Sequence, residues 1–324
     1  MAEPNNKELP EVIVLGIPWF LKFYGQQFSQ NFKLLKPWES SLPLEQFITT
    51  HAQSVKAMLC SGGTRVTPTF LSQFPSLRVI VTTSAGLNHM DLSECRRLGI
   101  SVANAGTIFS EDVADCAVGL LIDVLRKITA ADGFVRNGLW PMNVVYPLSS
   151  KVGGRKVGLV GLGSIGLKVA KRLEAFGCII SYQSRKKKPV PYPFYPDVHQ
   201  LATKCDVLVI CCALTDQTRH LINKEVLLAL GKEGIIINIA RGPIINETEL
   251  VQCLVQGEIA GAGLDVFENE PNVPEELLSL DNVVLSPHVA YLTEESFQDL
   301  YELMSGNLEA FFFNKPLLSP VLDD

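Results

Sequence analysis

The chain has 324 residues, 47% of them hydrophobic, 19% charged and 8% aromatic; at about 150 residues per domain this is two domains, and the apolar content excludes intrinsic disorder. Its 28 Lys and Arg against 34 Asp and Glu leave a formal charge of −6, which argues against nucleic acid as the main partner, because a phosphate backbone calls for a basic surface. The longest apolar run, Val207 to Leu214, is far shorter than the roughly 20 residues of a membrane span.

Along the chain, short β-branched runs alternate with helical patterns, so the fold class is α/β with parallel sheets. Strands are expected at Val12 to Leu15, Val55 to Leu59, Leu77 to Thr82 and Ile100 to Ala103, with a helix on either side of Leu71 and another near Asp91 to Leu98. These make one small doubly wound unit. A long helix follows, in which Val113, Ala117, Leu120, Val124 and Ile128 recur at three- and four-residue spacings while Glu111 and Asp112 suit its positive end. After a looser stretch, Gly133 to Gly154, a second series of strands is expected at Lys156 to Val160, Cys178 to Tyr182, Asp206 to Cys212, Ile235 to Ile239, Ala260 to Leu264 and Val283 to Leu285. A last helix, Glu294 to Phe313, has no strand after it and is free to pack back on the first unit.

Gly161-Leu162-Gly163-Ser164-Ile165-Gly166 directly follows the strand ending at Val160 and opens a helix patterned by Ile165, Val169 and Leu173. In that context Gly161 permits the tight turn, Gly163 lets backbone N–H groups approach a pyrophosphate, and Gly166 allows close helix–strand packing. A site for NAD would carry Asp or Glu near the end of the second strand, to hold the ribose hydroxyls. The chain instead reads Tyr182-Gln183-Ser184-Arg185-Lys186. A 2′-phosphate would meet the Ser184 hydroxyl and the Arg185 and Lys186 cations, so NADPH is the expected cofactor. On charge alone, Arg185 to Lys188 is a solvated basic turn or a nuclear-import patch; its place at the ribose end of the fold favours the phosphate.

Open α/β sheets bind ligands at the carboxyl ends of their strands. Arg241 follows the strand through Ile239, Asp265 and Glu270 follow Leu264, and His288 follows Leu285 across Ser286-Pro287. An Arg there holds a carboxylate or polarises a carbonyl, a His exchanges the proton that accompanies hydride transfer, and Glu270 beside His288 would stabilise imidazolium. Singly, Arg241 is a surface ion-pair member, Glu270 a loop charge and His288 a strand-end cap; their coincidence at one Gly-rich edge favours catalysis. His51, His89, His199 and His220 lie in contexts that suit structural roles, and no cluster has metal-ligand spacing.

The eight cysteines, Cys60, Cys95, Cys116, Cys178, Cys205, Cys211, Cys212 and Cys253, contain no C-x-x-C pair and read as reduced, buried thiols. The polar start, Met1 to Pro10, lacks the marks of a secretory leader, and Leu318 to Asp324 is neither a peroxisomal nor a prenylation signal. A cytoplasmic location is the expectation.

At these residues the chain resembles the D-isomer-specific 2-hydroxyacid dehydrogenases, most closely their glyoxylate/hydroxypyruvate reductase branch, which includes plant hydroxyphenylpyruvate reductases. The resemblance rests on Ala85-Gly86-Leu87-Asn88-His89-Met90-Asp91, Asp112-Val113-Ala114-Asp115, the loop 161–166, Asn238-Ile239-Ala240-Arg241-Gly242, the run Gly263 to Pro271, and Ser286-Pro287-His288-Val289-Ala290. It implies a Rossmann-type cofactor domain, 105–291, inserted in a flavodoxin-like substrate domain made of 1–104 and 292–324, with the active site in their cleft. It implies a homodimer, with the helix near Val113 to Ile128 at the interface. It assigns the substrate carboxylate to the N–H groups of Ala85 and Gly86, the carboxylate and carbonyl oxygen to Arg241, and the nicotinamide side to Asp265. Ala213, Thr218, Ile239 and Ala290 join the cofactor contacts, and Trp140 either reaches the partner's pocket or is a buried core residue.

Two departures stand out: Asn246 where the family often has Asp, and Tyr291-Leu292 in place of smaller residues after the histidine. The expected reaction is NADPH-dependent reduction of a small 2-keto acid to its D-2-hydroxy acid, with His288 as general acid. Ser61-Gly62-Gly63 suggests an open pocket wall while Trp19 and Phe20 would narrow it, so glyoxylate, hydroxypyruvate and 4-hydroxyphenylpyruvate all stand as substrates. The rivals are a dinucleotide-sensing binding protein of the corepressor type and an NAD-linked formate or phosphoglycerate oxidising enzyme.

Overall fold

The computed structural model describes residues 8–142 and 145–322, so most of the polar start and the last two residues lie outside it. The chain divides into two compact units, Met1–Phe109 with Thr293–Asp324, and Ser110–Leu292. Residues 105–109 thus fall with the first unit, where Ala105 N–H donates to Ser84 O at 3.2 Å.

Unit 1 has five parallel strands, β1 (Glu11–Leu15), β2 (Lys33–Leu35), β3 (Ala57–Cys60), β4 (Val79–Thr82) and β5 (Ser101–Ala103), in the order β2-β1-β3-β4-β5. The strand order therefore reverses between β1 and β3. Neither β2 nor the helix Pro18–Asn31 was expected, and the helices around Leu71 reduce to the single turn Pro68–Leu71. The helix Pro18–Asn31 opens with Pro and carries Gly and five Gln, Ser or Asn side chains in its second half, which read as loop. Its stripe Phe20, Tyr24 and Phe28 finds its partner near the far end of the chain, in the helix Glu294–Phe312: Tyr24 stacks on Tyr301 at 5.0 Å and Phe20 meets Phe297 edge-on at 5.6 Å. The last helix does pack back on unit 1. Asn307 at its buried face accepts the Leu318 and Ser319 N–H groups, and Ser319 Oγ donates to Asn104 O at 2.6 Å.

Unit 2 has seven parallel strands, β6 (Lys156–Val160), β7 (Ile179–Gln183), β8 (Phe194–Tyr195), β9 (Val207–Ile210), β10 (Ile235–Asn238), β11 (Gly261–Leu264) and β12 (Val283–Leu285), ordered β12-β11-β10-β9-β6-β7-β8. The two-residue β8 was not expected. The long helix runs Ser110–Arg126 and stops there because Lys127 is left-handed, with φ +54°; a second helix, Ile128–Arg136, begins beyond it. The first of these helices can lie close on the sheet because β11 is Gly-rich: a Cβ at Gly261 would stand 2.9 Å from Val124 Cγ1, and one at Gly263 3.0 Å from Leu120 Cβ. All eight cysteines are unpaired, five of them buried and three half-buried. Among the described residues no helix is long and apolar enough to cross a membrane.

Candidate active site

The chain turns out of β6 at Gly161, and two constraints require glycine there: φ is +96°, and a Cβ would stand 2.7 Å from Cys212 N, just beyond β9. Gly166 is equally constrained, since its Cβ would lie 2.5 Å from Gly161 O. Gly163 differs. Nothing lies within 4 Å of where its Cβ would be, so this glycine clears space outside the protein. The helix Ser164–Ala175 starts immediately after it without a side-chain cap, which leaves the N–H groups of Ser164, Ile165 and Gly166 without intrahelical acceptors. Cleared space at an uncapped helix N-terminus, where the sheet order reverses between β6 and β9, fits a pyrophosphate.

The ribose end is a tight turn. Gln183 O accepts the Gly161 N–H at 2.8 Å, Ser184 Oγ donates to Lys186 O at 2.6 Å, and Lys188 N–H donates to the Tyr182 hydroxyl at 2.7 Å. Arg185 and Lys186 are exposed on this turn, and no carboxylate lies between Tyr182 and Lys188.

Arg241, Glu270 and His288 follow β10, β11 and β12, three adjacent strands of the same sheet. Glu270 Oε2 lies 2.8 Å from His288 Nδ1, and its Oε1 accepts the Phe267 N–H at 3.1 Å. Burial pushes the Glu270 carboxyl up. The hydrogen bond and charge of His288, the Phe267 N–H and the Arg241 charge outweigh that and hold it below the ordinary carboxylate range. An ionised carboxylate only accepts, so Nδ1 carries its proton and Nε2 is the nitrogen left to face a ligand. No buried side-chain N or O atom lacks a partner among the described residues, so Nε2, which bonds nothing in the protein, reaches solvent. The same holds for Arg241, which donates through Nη1 to Ala240 O at 2.6 Å and keeps its other donor nitrogens. Burial lowers the Arg241 pKa and Glu270 offsets part of that.

Because Glu270 is depressed in the folded chain, its stabilising contribution is present above the unfolded-state pKa and is lost only as pH falls through the lower, folded value. Turnover is expected to hold its rate down through the ordinary Glu range, near pH ~4.3, before its acid limb appears. In Glu270→Gln that limb should vanish together with most of kcat, which a kcat–pH profile checks.

His288 sits at φ +56°, a conformation that costs an L residue about 1–2 kcal/mol. Asp265 holds it there. His288 N–H donates to Asp265 O at 2.7 Å, while the Asp265 carboxylate accepts the Val289 and Ala290 N–H groups and the Ser286 hydroxyl, at 2.7–3.1 Å. Asp265 is 1% exposed, so the residue expected beside the nicotinamide acts first on the chain itself, shaping the turn that carries the histidine.

A second set of contacts holds the loop that bears Glu270. Gly242 packs on it so closely that a Cβ would fall 1.9 Å from the Phe267 carbonyl. Glu247 Oε2 accepts the Glu268 N–H at 3.0 Å, and the Glu268 carboxylate is held by His220 at 2.8 Å and Arg219 at 3.3 Å. Asn238 pins the other side, donating to Arg241 O and accepting the Ala240 N–H, both at 3.1 Å. Glu247, Glu268, Asn238 and Ser286 were not singled out from the sequence. Asn238, Glu268 and Ser286 lay inside motifs that were, but no spacing rule reveals a partner such as His220, 48 residues from Glu268.

The remaining predicted residues lie as follows. Leu162 and Ile239 are buried beside the Gly-rich edge, and Ala290 is buried with its N–H on Asp265. Thr218 Oγ1 donates to Ala213 O at 2.7 Å, closing the loop after β9. Asn246, the first departure, caps the helix Glu247–Val255 by accepting the Glu249 N–H, a task Asp would share. Tyr291, the second, meets the His288 ring edge-on at 6.2 Å. Trp140 is 70% exposed, which removes its core alternative. Ala85 and Gly86 belong to unit 1, in the loop after β4, and among the described residues neither N–H has an acceptor in the protein.

Residues 118–290 match the model of the D-isomer specific 2-hydroxyacid dehydrogenase NAD-binding domain. The chain belongs to that family. A glyoxylate/hydroxypyruvate reductase of Arabidopsis thaliana is 54% identical over 99% of both chains. A hydroxyphenylpyruvate reductase of Plectranthus scutellarioides is 45% identical over 93% of this chain and 96% of its own. The crystal structure of an NADPH-dependent glyoxylate/hydroxypyruvate reductase from Sinorhizobium meliloti, in complex with NADP and malonate, superposes with a TM-score of 0.87 and 36% identity over 96% of both chains. As a member of this dehydrogenase family the protein is an oxidoreductase with a nicotinamide dinucleotide cofactor, and its relatives support reduction of a keto acid.

Proposed function

We propose that this protein is a cytoplasmic, NADPH-dependent reductase of small 2-keto acids that yields the D-2-hydroxy acid. The reading is carried by the 2.8 Å contact between Glu270 and His288 Nδ1, which leaves Nε2 to deliver a proton at the sheet edge shared with Arg241. When bound, the reduced nicotinamide supplies hydride to the keto carbon. His288 Nε2 gives its proton to the carbonyl oxygen, so that a neutral hydroxyl forms instead of an alkoxide. Glu270 stabilises the imidazolium before transfer and fixes the ring. Arg241 polarises the carbonyl and holds the carboxylate, and the N–H groups of Ala85 and Gly86 are assigned to that carboxylate as well.

NADPH over NADH is supported by the missing acid after β7 and by Ser184, Arg185 and Lys186 on the exposed turn, where a 2′-phosphate gains charge-assisted hydrogen bonds. Gly161 to Gly166 hold the pyrophosphate in this reading, and Ala213, Thr218, Ile239, Asp265 and Ala290 flank the rest. The unpaired cysteines suit a reducing compartment. A homodimer is supported by the helix Ile128–Arg136, which buries none of its residues, and by the neighbouring exposed Trp140, Met142, Val145 and Leu148, since such an apolar surface marks an interaction site; in the helix Ser110–Arg126, expected at the interface, Val113, Ala117, Leu120 and Val124 are already buried within the chain.

The test is loss of NADPH absorbance, then of NADH absorbance, against glyoxylate, hydroxypyruvate and 4-hydroxyphenylpyruvate at equal concentrations. NADPH is expected to turn over faster, and Arg185→Ala to raise its KM about tenfold while leaving NADH unchanged. An NADH preference would overturn the phosphate assignment. Binding of NADPH without turnover of any acid would leave a nucleotide-sensing protein.

A further inference from the structure

We propose that unit 1 carries a binding site of its own, for an aromatic carboxylate, in the cavity at the carboxyl ends of β1 and β3. These two strands are where the strand order of that sheet reverses, and diverging crossovers leave a ligand crevice at such a point. The cavity measures about 530 Å³, within the range of small-molecule sites. It lies wholly in unit 1, and its lining includes neither Arg241, Glu270 and His288 of unit 2 nor Ala85 and Gly86 of unit 1, so the proposal does not rest on the reductase reading.

The cavity is built rather than incidental. At its edge Gly16 adopts φ +74°, and a Cβ there would stand 2.7 Å from Ser61 Oγ and 2.9 Å from Thr64 Oγ1. Thr64 Oγ1 in turn donates to Leu15 O at 3.3 Å, so the loops after β1 and β3 close on each other. The walls are apolar, with Trp38, Phe70, Leu44 and Ile48 among them. Trp38 and Leu44 are 41% and 53% exposed, an unfavourable display of large apolar area that a bound ring would cover.

The polarity of the ligand follows from Arg65. It lines the cavity, is exposed, and makes no ion pair or side-chain hydrogen bond among the described residues. A planar guanidinium at the mouth of an apolar cavity matches a carboxylate on an aromatic body, through paired N–H···O bonds. A phosphate is a poorer match, because Arg65 is the one cation in the lining and the nearby helix Pro68–Leu71 is a single turn whose Phe70 N–H is already capped by Thr67.

The test is calorimetric titration of the full chain, without cofactor, by 4-hydroxyphenylacetate, an aromatic carboxylate with no keto group to be reduced. Saturable one-to-one binding is expected. Arg65→Gln should weaken it at least about tenfold, Leu44→Trp should abolish it by filling the cavity from an exposed position, and Arg241→Gln should bind as the unaltered chain does. Absence of binding at millimolar ligand overturns the proposal, as does binding that survives both Arg65→Gln and Leu44→Trp or is lost in Arg241→Gln. Reductase turnover is read separately. Turnover without this binding sinks the cavity alone, and binding without turnover sinks the reductase reading alone.

Discussion

His288→Ala is expected to cut kcat for keto-acid reduction by about 10²–10⁴-fold while leaving NADPH affinity near that of the unaltered protein and lowering thermal stability only by the lost Glu270–His288 contact. The size follows from the role: without Nε2 the carbonyl oxygen must take its proton from water as negative charge develops. The selectivity follows from the surroundings. His288 is placed by its backbone, through hydrogen bonds from residues 286–290 to Asp265, and none of those bonds uses the imidazole. Removing the ring therefore deletes the proton donor and leaves the turn intact. Steady-state kinetics, NADPH titration and a melting curve separate the three quantities. Unchanged turnover in a folded variant would remove His288 from the reaction, and a collapsed melting temperature would show that the ring itself holds the turn.

Arg241→Lys is expected to lower kcat/KM about 10²-fold or more, although it keeps a nominal cation. Two physical terms act together. A guanidinium offers paired donors to a carboxylate or to carboxylate and carbonyl, whereas an ammonium is a point charge, and each charge-assisted hydrogen bond lost costs about 1.5–3 kcal/mol. Burial already lowers the Arg241 pKa, with Glu270 as the counterweight. A lysine starts from a lower intrinsic value, near 10.4, so the same desolvation brings it closer to losing its charge. The comparison of kcat/KM across Arg241, Arg241→Lys and Arg241→Gln measures both terms. A lysine variant close to the unaltered enzyme would mean that charge alone suffices and that paired donation is not used.

The parts of this site that were legible in the sequence are those whose physical requirement is local. Gly161, Gly163 and Gly166 lie within one strand–turn–helix, where the left-handed turn, the cleared space and the close contact all arise between residues a few positions apart or on the adjoining strand. Arg241, Glu270 and His288 were legible because each follows a strand, and parallel strands present their carboxyl ends on one edge. The helix Pro18–Asn31 was not, since its aromatic stripe makes sense only against Phe297 and Tyr301. The end of the long helix at Lys127 escaped the periodicity for the opposite reason: the apolar spacing continues through Ile128, and only the backbone conformation breaks.

The sequence by itself determined the α/β class, the Gly-rich loop and its missing acid, and the three side chains at the strand ends, because periodicity, turn chemistry and strand-end position are short-range properties. Only the tertiary structure decided what holds those side chains. Asp265 under the His288 turn, Glu247 and His220 around Glu268, and Gly242 against the Phe267 carbonyl are contacts between residues 21 to 48 positions apart, or between backbones that sheet order brings together. Such pairings depend on which strands lie side by side, and strand order is set by the packing of the whole sheet, not by any one segment.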